Sequence, residues 1–289
     1  MFDANETLDQ ARTRNIQDAL REDIGVCDWT AQLVPSKIGR SQLSVRQKAV
    51  LCGKSWFEGT IQALDPKAVL TWFYQEGDWM VVDTPVCEIK ADVRALLSGE
   101  RTAINFLQTL SATATNTRKY VEAIVGLSPN PNGCVVLDTR KTLPGLRQAQ
   151  KYAVRIGGGE NQRMALWDGI LIKENHIAAA GSIRAALDAA EKLNEGVSIQ
   201  IEVENLAELD EAIKAGAKNI LIDNFSIEKM HKAVAINQGR ALLEASGGIG
   251  IELMRAIAAT GVDRISLGKL TKDVQAVDFS MRMLAKRSS

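Results

Sequence analysis

The second half of the chain repeats one pattern six times, and that repetition leaves few folds open. Short apolar runs at 134–138, 169–173, 198–203, 219–223, 241–245 and 264–267 alternate with amphipathic stretches at 182–193, 206–215, 227–236 and 250–259. These intervals fit βα units, in which parallel strands lie side by side and helices return over them. Runs such as Asn219-Ile220-Leu221-Ile222 are apolar without alternation, as strands covered on both faces are. The expectation is an α/β fold with an open or closed (β/α) barrel. A doubly wound open sheet is the alternative, weakened because no Gly-x-Gly-x-x-Gly follows a first strand.

The first half reads differently. Residues 6–22 have helical spacing through Leu8, Ala11, Ala19 and Leu20, and short strand-like runs follow at 43–51, 69–74 and 86–90, as in a small α+β domain. A long helix is expected over 93–124, with Ala103, Phe106, Leu107 and Leu110 on one stripe and Ser111-Ala112-Thr113 as a candidate interruption. The loop Ser128-Pro129-Asn130-Pro131-Asn132-Gly133 ends it. At 289 residues the chain reaches the length, roughly 250–300, at which one core stops growing. Two domains are therefore expected: 1–116, with 272–289 packing back on it, and 117–271 as the barrel.

Lys plus Arg balances Asp plus Glu at 35 each, so no global field draws the chain to nucleic acid or an anionic membrane. Met1-Phe2-Asp3-Ala4-Asn5-Glu6 carries acids rather than a basic leader, and no apolar run approaches the ~18 residues of a membrane span. The expectation is an unprocessed cytoplasmic protein. Cys27, Cys52, Cys87 and Cys134 show no Cys-x-x-Cys spacing and read as packing thiols. The two histidines, His176 and His231, form no His-Glu-x-x-His, which argues against a transition metal on protein ligands. Magnesium arriving with a phosphorylated substrate stays open.

Reactive residue types gather where the expected strands end: Asp138-Thr139-Arg140-Lys141, Lys173-Glu174-Asn175-His176, Glu202 and Glu204, Asp223-Asn224, Ser246-Gly247-Gly248, and Gly268-Lys269. Loops often begin with polar residues, but that does not explain Lys173 directly after Ile170-Leu171-Ile172. Barrel enzymes build their sites at the carboxyl ends of strands. Ser246-Gly247-Gly248-Ile249-Gly250 lies between a strand and a helix, where glycines let main-chain N–H groups approach a phosphate and the helix start favours an anion. A plain tight turn is the competing reading. Gly53-Lys54-Ser55 resembles the tail of a P-loop, but position 48 is lysine where that motif needs glycine. Arg140, Lys141, Arg163 and Lys173 form a cationic cluster suited to more than one carboxylate. Arg147 lies beyond the strand end, is expected to be helical and exposed, and receives no role. Glu202 and Asp223 end adjacent strands and can serve magnesium, ribose hydroxyls or a developing positive charge. Ion pairing with the lysines is the plainer alternative.

At these residues the chain resembles the quinolinate phosphoribosyltransferases, nearly end to end. The most specific stretches are Ser98-Gly99-Glu100-Arg101-Thr102-Ala103-Ile104-Asn105-Phe106-Leu107-Gln108-Thr109-Leu110-Ser111, Leu137-Asp138-Thr139-Arg140-Lys141-Thr142-Leu143-Pro144-Gly145-Leu146-Arg147, and Leu171-Ile172-Lys173-Glu174-Asn175-His176. The resemblance implies an amino-terminal α+β sandwich, an incomplete barrel of about six to seven strands, and a homodimer in which Arg101 serves the partner's site. It implies that Arg101, Thr139, Arg140, Gln162, Arg163 and Lys173 hold quinolinate. Lys141, Glu202, Asp223, Ser246, Gly247, Gly248, Leu267, Gly268 and Lys269 would hold phosphoribosyl pyrophosphate with Mg2+, and Lys141, Glu202 and Asp223 would be catalytic. The products would be nicotinate mononucleotide, pyrophosphate and carbon dioxide, a step of NAD biosynthesis.

One position departs from the family pattern: Gln162 stands where histidine is usual. An amide donates to a carboxylate but carries no charge, so quinolinate binding is expected to be weaker or less sensitive to pH. The competing readings are a Schiff-base lyase using Lys173 or Lys141, a relative acting on nicotinate, and a degenerate binding protein.

Overall fold

The computed structural model describes residues 5–193 and 196–285. Residues 1–4 of the acidic amino-terminal stretch and 286–289 of the carboxyl-terminal segment lie outside the described residues. In chain order the first elements are α1 (Leu8–Ile24), β1 (Ile38–Val45), β2 (Ala49–Val50), α2 (Lys54–Leu64), β3 (Val69–Trp72), β4 (Trp79–Met80), β5 (Pro85–Asp92) and α3 (Val93–Ile124). Then come β6 (Val135–Leu137), α4 (Arg147–Ile156), β7 (Gly169–Ile172), α5 (Glu174–Ala180), α6 (Ile183–Leu193), β8 (Ser198–Val203), α7 (Leu206–Lys214) and β9 (Asn219–Asp223). The last are α8 (Ile227–Asn237), β10 (Leu242–Ser246), α9 (Ile251–Ala259), β11 (Arg264–Ser266), α10 (Lys269–Lys272) and β12 (Phe279–Met283).

Two compact units result: 1–116 with 143–157 and 272–289, and 117–142 with 158–271. The division differs from the sequence expectation at 143–157, which cluster with the first unit. Arg147 opens α4 there and is half-buried rather than exposed.

In the first unit, an antiparallel sheet of order β12-β1-β5-β3 presents alternate residues of β1, namely Ser41, Leu43 and Val45, to the interior. Phe57 and Ile61 of α2, and Leu96, Ile104 and Leu107 of α3, fill the same core as Leu43, Ile89 and Phe279. A second cluster joins Ile16 of α1, Trp56, Phe106, Leu110 and Ala149 and Ala153 of α4. Thr7 starts α1 with a reciprocal cap: its hydroxyl accepts from Gln10 N–H (3.3 Å) while Gln10 Oε1 accepts from Thr7 N–H (2.9 Å). The expected interruption of α3 at 111–113 is absent, and the helix is continuous. Ser111 and Thr115 instead turn their hydroxyls to the main chain of Cys52 and Val50 (3.0 and 2.8 Å), so polar side chains are satisfied without breaking the helix.

In the second unit six parallel strands run in the order β6-β11-β10-β9-β8-β7. The chain leaves β6 at one edge, starts again with β7 at the other, and steps back one strand at a time to β11. Residue 160 bridges to Leu137 on the outer side of β6, but the described residues show no β6–β7 pairing, so the barrel is incomplete. Asn205 and Ser226 start α7 and α8 by accepting from main-chain N–H groups of the first turn. Among the described residues no helix is long and apolar enough to cross a membrane.

Candidate active site

Register decides which strand residues share a face. Glu202 pairs with Leu221, Leu221 with Glu244, and Asp223 with Ser246, and side chains two apart on one strand point the same way. Gln200 of β8 bonds Glu244 of β10 at 2.8 Å although β9 lies between them, so this face is the concave one. Glu202, Asp223 and Ser246 therefore stand at the carboxyl ends of three neighbouring strands on the concave side. Lys173, one residue beyond β7, meets Glu202 with Nζ 2.7 Å from Oε2. The lysine is 43% exposed and the carboxylate 11%, leaving the remaining ammonium donors reachable from solvent.

A second group forms around β6. The Asp138 carboxylate is buried and takes Asn161 Nδ2 at 2.6 Å and Gln162 N–H at 3.0 Å, which anchors the segment leading to Arg163. Arg163 Nη1 donates to the Gly169 carbonyl at 2.8 Å. Burial lowers the Arg163 pKa, and the nearby positive charge of Arg140 lowers it further. A like charge nearby opposes the charged form of a guanidinium, and an anion bound beside the two groups would relieve that opposition.

A third group gathers glycine-rich loops. Gly247 has φ +106°, and a Cβ there would fall 2.1 Å from Asn224 Oδ1, so only glycine fits. Asn224 itself has φ +54° and donates its N–H to the Ser246 carbonyl at 3.0 Å. Gly248 also has positive φ, is exposed, and has nothing within 4 Å of an added Cβ. Gly250 starts α9 without a side-chain cap, and the Glu252 carboxylate of the first turn lies against it. A Cβ on Gly268 would lie 2.8 Å from Lys141 Cδ and 3.5 Å from Thr139 Oγ1, so the 268 turn rests on 139–141. Thr271 Oγ1 donates to the Lys141 carbonyl at 2.8 Å. Leu267 turns its side chain into the core and donates its N–H to Leu137, 2.9 Å away.

The second unit thus places Thr139, Arg140, Lys141, Lys173, Glu202, Asp223, Ser246, Gly247, Gly248, Gly268 and Lys269 at or just beyond the strand ends, while Gln162 bonds Gln200 within β8 and Arg163 lies against Gly169, the first residue of β7. Arg101 is elsewhere: it is exposed on α3 in the first unit. Sequence reasoning assigned no task to Asp138, Asn161 and Asn224, and it passed over Gln200 and Glu244. The signal was available for the last two, because Gln200 and Glu244 each stand two residues before a strand-end polar residue, Glu202 and Ser246, and so share its face.

Among the described residues no group of three or more His, Cys, Asp and Glu is placed to hold a metal ion. Glu202 and Asp223 nonetheless supply hard oxygen donors at adjacent strand ends, suited to magnesium that brings most of its ligands with a substrate pyrophosphate.

Comparison with known proteins agrees with this geometry. The family model described as quinolinate phosphoribosyl transferase, N-terminal domain, matches residues 28–111, and the C-terminal domain model matches 113–282. A probable nicotinate-nucleotide pyrophosphorylase [carboxylating] of Bacillus subtilis is 37% identical over 270 residues, 93% of this chain and 92% of that protein. The Homo sapiens nicotinate-nucleotide pyrophosphorylase [carboxylating] is 32% identical over 271 residues, 92% of this chain and 90% of that one. A solved structure of the nicotinate-nucleotide pyrophosphorylase from Francisella tularensis superposes with TM-score 0.91 at 42% identity, covering 97% of this chain and 98% of that one. With concave face, strand-end clusters and both domain models in agreement, the chain belongs to the quinolinate phosphoribosyl transferase family.

Proposed function

We propose that the chain joins quinolinate to phosphoribosyl pyrophosphate, giving nicotinate mononucleotide, pyrophosphate and carbon dioxide in NAD biosynthesis. The observation that carries this reading is the match of both domain models, over residues 28–111 and 113–282, to a chain whose second unit gathers Arg140, Lys141, Arg163 and Lys173, cations suited to a ligand with two carboxylates. A monoacid such as nicotinate leaves part of that charge unanswered.

The quinolinate nitrogen attacks ribose C1 as the C1–O bond to pyrophosphate breaks and its electron pair leaves with that oxygen. Positive character builds at C1, and Glu202 and Asp223 are placed to offset it. Lys141, Lys269 and the 246–250 main-chain donors hold the phosphates. Magnesium, when bound through Glu202 and Asp223 and the substrate, supplies countercharge for the leaving pyrophosphate. The electron pair left when the adjacent carbon–carboxylate bond breaks and carbon dioxide departs stays on that ring carbon, stabilised by the neighbouring nitrogen, now cationic, and takes a solvent proton. With Gln162 in the usual histidine position, diacid binding is weaker or less dependent on pH than in a histidine-bearing relative.

The assembly that suits Arg101 is a homodimer in which it serves the partner's site. Trp29 is 75% and Leu33 82% exposed. Ser98 Oγ donates to Asp28 Oδ2 at 2.7 Å, tying that apolar segment to the α3 turn before Arg101. An exposed apolar patch beside an exposed arginine suits a subunit contact. We place the reaction in the cytoplasm, where the four free thiols stay reduced.

Quinolinate labelled with carbon-13 in the carboxylate beside nitrogen tests the chemistry. The label is expected in carbon dioxide, nicotinate is expected to give no nucleotide, and borohydride is expected to trap no adduct on Lys141 or Lys173. A trapped adduct would establish the lyase reading instead.

A further inference from the structure

Three side chains stand in single file across the concave face of the second unit. Gln162 Nε2 donates to Gln200 Oε1 at 2.9 Å, and Gln200 Nε2 donates to Glu244 Oε2 at 2.8 Å. Gln200 is 6% exposed and Glu244 only 2%. Buried polar groups in apolar strands are costly unless they are satisfied, and the reaction described above assigns neither residue a contact with substrate.

The file has a direction. An amide has a donor end and an acceptor end, whereas an ionised carboxylate only accepts. Glu244 Oε2 takes the nitrogen of Gln200, so the Gln200 carbonyl faces Gln162, and Gln162 answers with its own nitrogen. Reversing a link would set nitrogen against nitrogen or oxygen against oxygen. The Gln162 main chain is held separately by Asp138, and the next residue is Arg163, whose charge feels Arg140.

We propose that Glu244 is a positioning residue: acting through Gln200, it holds the Gln162 side chain by its amide nitrogen and so fixes the segment that carries Arg163, on which the affinity for the quinolinate carboxylates depends. This inference rests on the reaction proposed above. Burial raises the Glu244 pKa; Gln200, Ser266 and the charge of Arg264 oppose that, and the charge of Glu202 adds to it. A glutamine at 244 would keep an acceptor oxygen for Gln200, whereas a methionine of similar length would not.

The test is steady-state kinetics of the full chain with quinolinate, phosphoribosyl pyrophosphate and magnesium, comparing native protein, Glu244→Met, Gln162→Ala and the double variant. Glu244→Met is expected to raise the quinolinate KM about tenfold, the scale of one buried hydrogen bond whose loss leaves the Gln200 amide without its acceptor. The phosphoribosyl pyrophosphate KM and kcat should stay within about twofold, and Glu244→Gln within about threefold of native throughout. In the Gln162→Ala background Glu244→Met should add nothing, since the link is already cut. Equal losses in both backgrounds, or a loss falling on kcat or on the phosphoribosyl pyrophosphate KM, would overturn the relay while leaving the reaction standing. Should Glu244→Met not fold, Gln200→Met breaks the file one link closer and is read the same way. Native protein that turns over no quinolinate would overturn the reaction and the relay together.

Discussion

At the scale of single residues, the second unit holds an ionisable group where water does not reach. Glu244 is buried, and burial raises its pKa above the ordinary glutamate value. In the folded chain it therefore keeps its proton to higher pH than in the unfolded chain. Stability is undiminished below the ordinary value, falls as pH rises between that value and the raised one, and stays reduced above it. Glu244→Gln removes this titration while keeping the acceptor for Gln200. The variant is expected to unfold a few degrees higher than native at neutral pH by calorimetry, with the gap closing as pH drops below the ordinary glutamate range. A gap that ignores pH, or one of opposite sign, would show that burial of the charge is not what strains this position.

At the scale of elements, the loop from β10 to α9 depends on one glycine. Gly247 combines φ +106° with a Cβ position 2.1 Å from Asn224 Oδ1, so Gly247→Ala must displace either its own loop or the one after β9. The expected result is a phosphoribosyl pyrophosphate KM raised about tenfold or more, a quinolinate KM nearly unchanged, and a lowered melting temperature. A change confined to quinolinate would remove this loop from the phosphate subsite. The elements themselves were largely legible in the sequence. Expected strands at 198–203 and 219–223 coincide with β8 and β9, because β-branched residues mark both, alternating with polar ones in β8 and standing in an apolar run before Asp223 in β9. Two features were not legible, for different reasons. Ser111-Ala112-Thr113 looked like a helix break because small polar residues often are one, but the Ser111 hydroxyl meets the distant main chain of Cys52 and the Thr113 hydroxyl donates to the Thr109 carbonyl one turn earlier. Arg147 looked exposed because a lone helix has a solvent face, whereas Ala149 and Ala153 dock α4 against Trp56 and Leu110 from far earlier in the chain. The Gln200–Glu244 contact joins strands separated by a third, a relation visible only once sheet order is known.

At the scale of the whole molecule, the strand-end charges lie on the second unit and Arg101 on the first, so the dimer proposed above would make assembly part of the chemistry. If Arg101 serves a partner, two defective chains can repair one another. Arg101→Ala and Lys141→Ala, each nearly inactive alone, should on mixing and subunit exchange recover roughly a quarter of native activity, because half the dimers are mixed and each holds one intact site. No recovery in a mixture shown by native mass spectrometry to contain mixed dimers would place Arg101 in its own chain's service. All of this presupposes one reaction. The most direct measurement follows pyrophosphate and carbon dioxide together as purified protein meets quinolinate, phosphoribosyl pyrophosphate and magnesium. The account predicts that the two appear in equal amounts and only when both substrates are present; pyrophosphate without carbon dioxide, or neither, would contradict it.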